Sequence, residues 1–251
     1  MNKKLIAKKI FSINDQKIFL KLSRDYNPAH SLKKTKNQFN STKIIVHGIN
    51  ILLTALELFL KFRKTKPKLM RCFFYRPIYL NDQISFFTYY ENKKNSEQII
   101  EVQNSKKNVC TRFVFLEKTF HKKIKNSKKK ISLIKTTRSV ANSNPIKFLN
   151  KSFQINFPNL KILKRFKLIS KNFSSNLFNA LLITSYFIGM KCPGKRAIFI
   201  GIDLNLNDLN NFKKYLVFNV NNFDKKLSMF TINTSGFIHL NIKSIYKKIF
   251  K

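Results

Sequence analysis

The chain has 251 residues, 43% of them apolar and 14% aromatic, which excludes a disordered polymer and leaves room for one large domain or two of about 120 residues. Its 50 Lys and Arg against 11 Asp and Glu give a formal net charge of +39, which taken alone points to nucleic acid or a membrane surface. The abundant Lys, Asn, Ile and Phe all have AT-rich codons, whereas Gly is 5 and Trp is 0, so codon bias is the expected source of the charge, ahead of a selected binding face.

Along the chain, Leu5–Phe11 reads as a strand. Ser12 with Asp15 three residues on forms a capping box that opens a helix through Leu22. A polar loop, Ser23 to His47, contains Pro28. Ile49–Phe62 is apolar almost all round, as a helix buried on every side would be. Strand-like segments follow at Leu69–Tyr79, Ile84–Tyr90, Gln98–Gln103 and Val109–Glu117, with Asn81-Asp82 as a turn. Residues 120–143 are Lys- and Ser-rich with weak periodicity and read as a basic linker. The remainder repeats the order: a buried helix at Leu177–Met190, then strands at Arg196–Leu206, Tyr215–Asn221, Leu227–Asn233 and Phe237–Ile242.

One apolar helix followed by a block of antiparallel strands, used twice, belongs to the α+β class: two sheets, each wrapped around a central helix. The expected units are residues 1–119, the linker 120–143, and 144–251. Cys72, Cys110 and Cys192 are odd in number and lack ligand spacing, so neither a disulfide framework nor a metal site is expected, and a reducing, cytoplasmic setting is the default. The basic start, Met1–Lys9, precedes no signal-type apolar run, and no apolar stretch reaches the length of a membrane span.

The informative residues are Leu22-Ser23-Arg24-Asp25-Tyr26-Asn27-Pro28-Ala29-His30 and, after the loop, Ile45-Val46-His47-Gly48. Asp25 and His30 flank an Asn-Pro turn whose proline restricts the backbone, so both side chains can reach one small volume as an acid–base pair. Gly48 offers an unhindered N–H with the helix dipole behind it, and Leu52, Leu53 and Leu56 could line an apolar slot. Taken singly, each is ordinary: a solvated loop pair, a loop glycine, core leucines. The ordered set carries the reading.

That set resembles the MaoC-like dehydratases, the R-specific enoyl-CoA hydratases, whose motif reads roughly S-G-D-x-N-P-x-H and then V-H-G-M at the start of the helix of a hotdog fold. Ser23, Asp25, Asn27, Pro28 and His30 match the first block, and Val46, His47 and Gly48 the second. Arg76-Pro77-Ile78-Tyr79-Leu80-Asn81-Asp82 is similar to a third, R-P-V-x-x-G-D. The likeness covers about residues 5–118, and the second half, without the D-x-N-P-x-H block, is expected to be a degenerate hotdog in a tandem pair. The resemblance implies reversible hydration of a trans-2-enoyl thioester to an R-3-hydroxyacyl thioester. Asp25 and His30 would hold the water and Gly48 N–H would polarise the carbonyl. Asn27, His47, Leu52, Leu53 and Leu56 would contact substrate. No metal or bound cofactor is implied; coenzyme A or acyl carrier protein would be the substrate carrier, and pairing of chains into a homodimer is possible.

The chain departs from the motif at Arg24 and Asn81, where the family has glycine, at Leu32 and at Ile49. Arg24 is expected to depress the Asp25 pKa or crowd the site. A hotdog that only binds thioester or a partner protein is the second reading. A basic nucleic-acid binder using its 26 Phe and 8 Tyr for stacking is the third, with no recognised nucleic-acid module to support it.

Overall fold

The computed structural model describes residues 2–31, 43–63, 65–92, 97–117, 130–138, 140, 144–158 and 164–246. Eleven strands form one sheet: β1 (Lys4–Ile10), β2 (Leu69–Phe74), β3 (Gln83–Asn92), β4 (Glu97–Asn104), β5 (Val109–Leu116), β6 (Ile131–Leu133), β7 (Ser152–Asn156), β8 (Ala197–Asn205), β9 (Tyr215–Asp224), β10 (Met229–Gly236) and β11 (Leu240–Tyr246). Their spatial order is β1-β3-β4-β5-β2-β8-β11-β10-β9-β7-β6. Every neighbouring pair is antiparallel except β6 with β7. The first five strands and the last six therefore make two sub-sheets, joined where β2 pairs β8 from Leu69↔Asn205 to Phe73↔Gly201.

Helix α1 (Ile13–Ser23) opens with the expected capping box: Asp15 N–H donates to Ser12 Oγ and Ser12 N–H to Asp15 Oδ2, both at 3.1 Å. It ends at Arg24 in the left-handed region, φ 55°. Helix α2 (Gly48–Phe62) turns Ile49, Leu52, Leu53, Ala55, Leu56 and Phe59 into the core, as its nearly unbroken apolar sequence requires. Its one acidic residue, Glu57, points at the next helix: both carboxylate oxygens accept from the Leu168 and Ile169 N–H groups (2.9 and 3.0 Å). They cap α3 (Lys167–Asn172), which has no side-chain cap of its own. Helix α4 (Ser175–Tyr186) is buried along nearly its whole length and runs on into a wider π turn, Phe187–Lys191.

The structure differs from the sequence reading in a few places. The first strand after α2 stops at Phe74 rather than Tyr79, and Tyr79 instead bridges Ile45. Ile131–Leu133, inside the stretch read as linker, forms the edge strand β6; residues 118–129, 139 and 141–143 lie outside the described residues. β7 and α3 had no counterpart in the reading, being short and only partly apolar. All three cysteines are buried and unpaired. Among the described residues no helix is long and apolar enough to cross a membrane.

Candidate active site

The site is built where α1 leaves the core. After Arg24 the chain passes Asp25 and turns through a short 3-10 helix, Pro28–His30, capped by the Asn27 side chain on Ala29 N–H (3.0 Å). That turn is pinned to the strand-like segment before α2 by the Ile45 N–H on Ala29 O (3.0 Å). The third motif block holds the same segment from its far side, with Val46 N–H on Ile78 O and Leu80 N–H on Ile44 O. Asn81 takes the motif glycine's place in the left-handed region, φ 64°, a conformation asparagine tolerates better than most residues.

Asp25, His30 and His47 come together with donor atoms all within 4.8 Å of one another. Asp25 is 2% exposed. Its Oδ1 accepts from Asn27 N–H (3.2 Å) and its Oδ2 from the Ser185 hydroxyl (2.7 Å). Burial pushes its carboxyl up to about 7, against the pull of the Ser185 and Asn27 hydrogen bonds. Arg24 neither depresses that value nor crowds the carboxylate. Its guanidinium turns outward and donates to Thr136 Oγ1 (2.7 Å), correcting the expectation from the sequence.

His30 is partly exposed, with Nδ1 2.7 Å from Ile45 O. A carbonyl can only accept, so Nδ1 carries the hydrogen and Nε2 keeps its lone pair. Burial lowers the imidazole to about 4, so it is neutral near pH 7. His47 stacks on it (centroids 3.6 Å apart, planes at 25°) and is itself fully buried. Its Nε2 lies 3.1 Å from Asp25 O, and burial drives its pKa well below the ordinary value. The 3.9 Å approach to Asp25 Oδ2 therefore joins a neutral ring to the carboxyl and is not an ion pair. Its Nδ1 finds no hydrogen-bond partner among the described residues.

Two imidazoles and a carboxylate have the composition of a metal site. The stacking works against one, because lone pairs lying in two nearly parallel ring planes do not converge on a single ion.

Several assignments change. Asn27 is buried: besides capping the turn, its Nδ2 donates to Gly189 O (3.2 Å) and Gly194 O (3.1 Å), so it ties the motif to the second half. His47 is a buried support behind His30. Leu52, Leu53 and Leu56 are fully enclosed core residues. Gly48 begins α2 as expected; the Phe74 ring lies 3.1 Å from where a Cβ would stand. Ser185 and Gly189, which the sequence reading missed, close the site from the second half. A Cβ on Gly189 would fall 2.0 Å from Asp25 Oδ1, so only glycine lets the π turn pass the carboxylate.

No family model matches the chain, and no curated protein matches it in sequence. Solved structures match over nearly its full length. A conserved hypothetical protein from Mycobacterium tuberculosis, described as a double hotdog fold, aligns over 97% of this chain and 95% of its own at 6% identity, TM-score 0.59. A chain assigned as a MaoC domain dehydratase from Chloroflexus aurantiacus aligns over 97% and 93% at 7% identity, TM-score 0.55. A MaoC-like dehydratase aligns over 98% of both chains at 8% identity, TM-score 0.53. These likenesses establish the fold: this chain is a double hotdog, the fold of MaoC-like dehydratase structures.

Proposed function

We propose that the chain is a hydro-lyase of the MaoC-like kind, adding water reversibly to a trans-2-enoyl thioester to give the R-3-hydroxyacyl thioester. The carrying observation is the Asp25–His30 pair: side chains brought within 4.8 Å, one pKa raised to about 7 and the other lowered to about 4. Environments that drive two neighbouring groups apart in this way supply a neutral acid and a neutral base at the same pH.

In the hydration direction, His30 Nε2 takes a proton from the water as its oxygen attacks the β-carbon. The protonated Asp25 carboxyl delivers a proton to the α-carbon, leaving the thioester hydrated and charge balanced. Negative charge develops on the thioester oxygen meanwhile, and the Gly48 N–H, at the positive end of α2, would receive it. The carrier is coenzyme A or acyl carrier protein.

Loss of enoyl absorbance with crotonyl-CoA tests this. The wild type is expected to turn over, and Asp25→Asn and His30→Gln to lose about 10²–10⁴-fold each, the usual worth of a general acid or base. kcat/KM is expected to be bell-shaped, with limbs near pH 4 and pH 7. Absence of turnover in folded wild type, with longer enoyl chains and with an acyl-carrier-protein substrate, would overturn it. The second reading, a binding-only hotdog, is favoured by how tightly Asp25 is enclosed, and it predicts thioester binding without turnover.

A further inference from the structure

Beside the motif, on the outer side of Arg24, two adjoining clefts open between the end of α1 and the segment that follows β6. The outer one encloses about 410 Å³, and Lys21, Arg24 and Arg138 stand around it with the hydroxyls of Thr136 and Thr137. The inner one encloses about 200 Å³; Leu22, Phe157, Pro158, Leu182 and Ile183 make its apolar side, and Ser23, Arg24, Thr136 and Asn156 its polar side. They share Leu22, Arg24 and Thr136, so one elongated ligand can occupy both.

The walls are held in place. Arg24 donates to Thr136 Oγ1 (2.7 Å), Lys191 to Thr137 Oγ1 (3.2 Å), and the Thr137 N–H donates to the Tyr186 hydroxyl (2.8 Å). No residue lining either cleft is acidic, and among the described residues no carboxylate lies within 4.0 Å of the Lys21, Arg24 or Arg138 cationic groups. Arg24 also stands at φ 55°, where a side chain costs about 1–2 kcal/mol over glycine.

We propose that this double cleft binds an amphiphilic carboxylate, a fatty-acid-like anion, with its head on Arg24, Arg138 and Lys21 and its tail along Leu22, Leu182 and Ile183. A guanidinium pairs bidentately with a carboxylate, and a tail burying apolar surface adds roughly 0.8 kcal/mol per methylene. A bare anion leaves the apolar side of the inner cleft uncovered, and a neutral amphiphile has nothing for the cationic rim. The site does not depend on the hydratase reading.

Calorimetric titration of the full chain with octanoate, acetate and octanol tests it. Octanoate is expected to bind at least tenfold tighter than either of the other two. Arg24→Gly with Arg138→Gln is expected to weaken octanoate at least tenfold. Glycine suits φ 55°, so the variant keeps its fold, which its melting temperature checks; Arg138→Gln alone, at an exposed position, reads the same contact should the pair not fold. Three results would each overturn the proposal: no octanoate binding to folded wild type, acetate binding as tightly as octanoate, or unchanged octanoate affinity in the variants.

Discussion

The two hotdog halves use their central helices differently. Helix α2 of the first half follows the motif, and His47, the residue just before its start at Gly48, stacks on His30. Helix α4 of the second half has no motif before it and presents its end: Ser185 in its last turn and Gly189 in the π turn beyond. The second half, which has no counterpart of the Asp25–His30 pair, still shapes the surroundings of Asp25, because Ser185 holds Asp25 Oδ2, Gly189 leaves room for the carboxylate, and the Gly189 and Gly194 carbonyls anchor Asn27. The second half is thus the wall against which Asp25 of the first half is set.

The sharpest way to break this division is Asp25→Asn, which should leave little of the hydration rate while raising stability in alkali. The folded carboxyl is raised to about 7 from an ordinary 3.8, so the folded state holds a proton the unfolded state has lost, and stability falls as pH rises through that window. The variant escapes the penalty: its melting temperature should exceed wild type at pH 8, and the gap should close towards pH 4.

Gly189→Ala comes next. Its Cβ would collide with Asp25 Oδ1, which should cost about 1–3 kcal/mol in denaturant unfolding and misplace the acid. If activity survives it, the second half is not a wall. Ser185→Ala should be milder, lowering the rate roughly tenfold, in line with the loss of about 1.5 kcal/mol from the hydrogen bond that steadies the carboxylate formed as Asp25 gives up its proton. That bond favours the ionised carboxylate, so its removal should move the alkaline limb of kcat/KM above pH 7, whereas a serine that merely packs would leave the limb in place. Arg24→Gly is the smallest, a stabilisation of about 0.5–1 kcal/mol from relief of the left-handed backbone, with hydration unchanged.

Much of the first half was legible in the sequence. The Ser12–Asp15 box marked a helix start through local spacing, and the mainly apolar run 49–62 marked a buried helix. Asp25 and His30 were legible because a proline turn brings near neighbours together. The roles of Asn27 and His47 were not, because they depend on partners supplied by other elements: the Gly189 and Gly194 carbonyls for one, the stacked ring and the Asp25 carbonyl for the other. Ser185 carries no local signal, since its partner lies 160 residues away. Gly189 did carry one. In a chain with only five glycines, each is worth asking about, and two of them, Gly48 and Gly189, sit where a Cβ would press on the Phe74 ring or the Asp25 carboxylate.

The seam between the sub-sheets has a consequence during synthesis. The edge of β2 that receives β8 belongs to a half whose own strands are finished at Leu116, while β8 begins only at Ala197. A ribosome adds roughly 5–20 residues per second, so for several seconds the nascent first half carries an open strand edge. Arg71 lies on that edge, registered opposite Asp203, and its charge discourages stray strands until the intended one emerges.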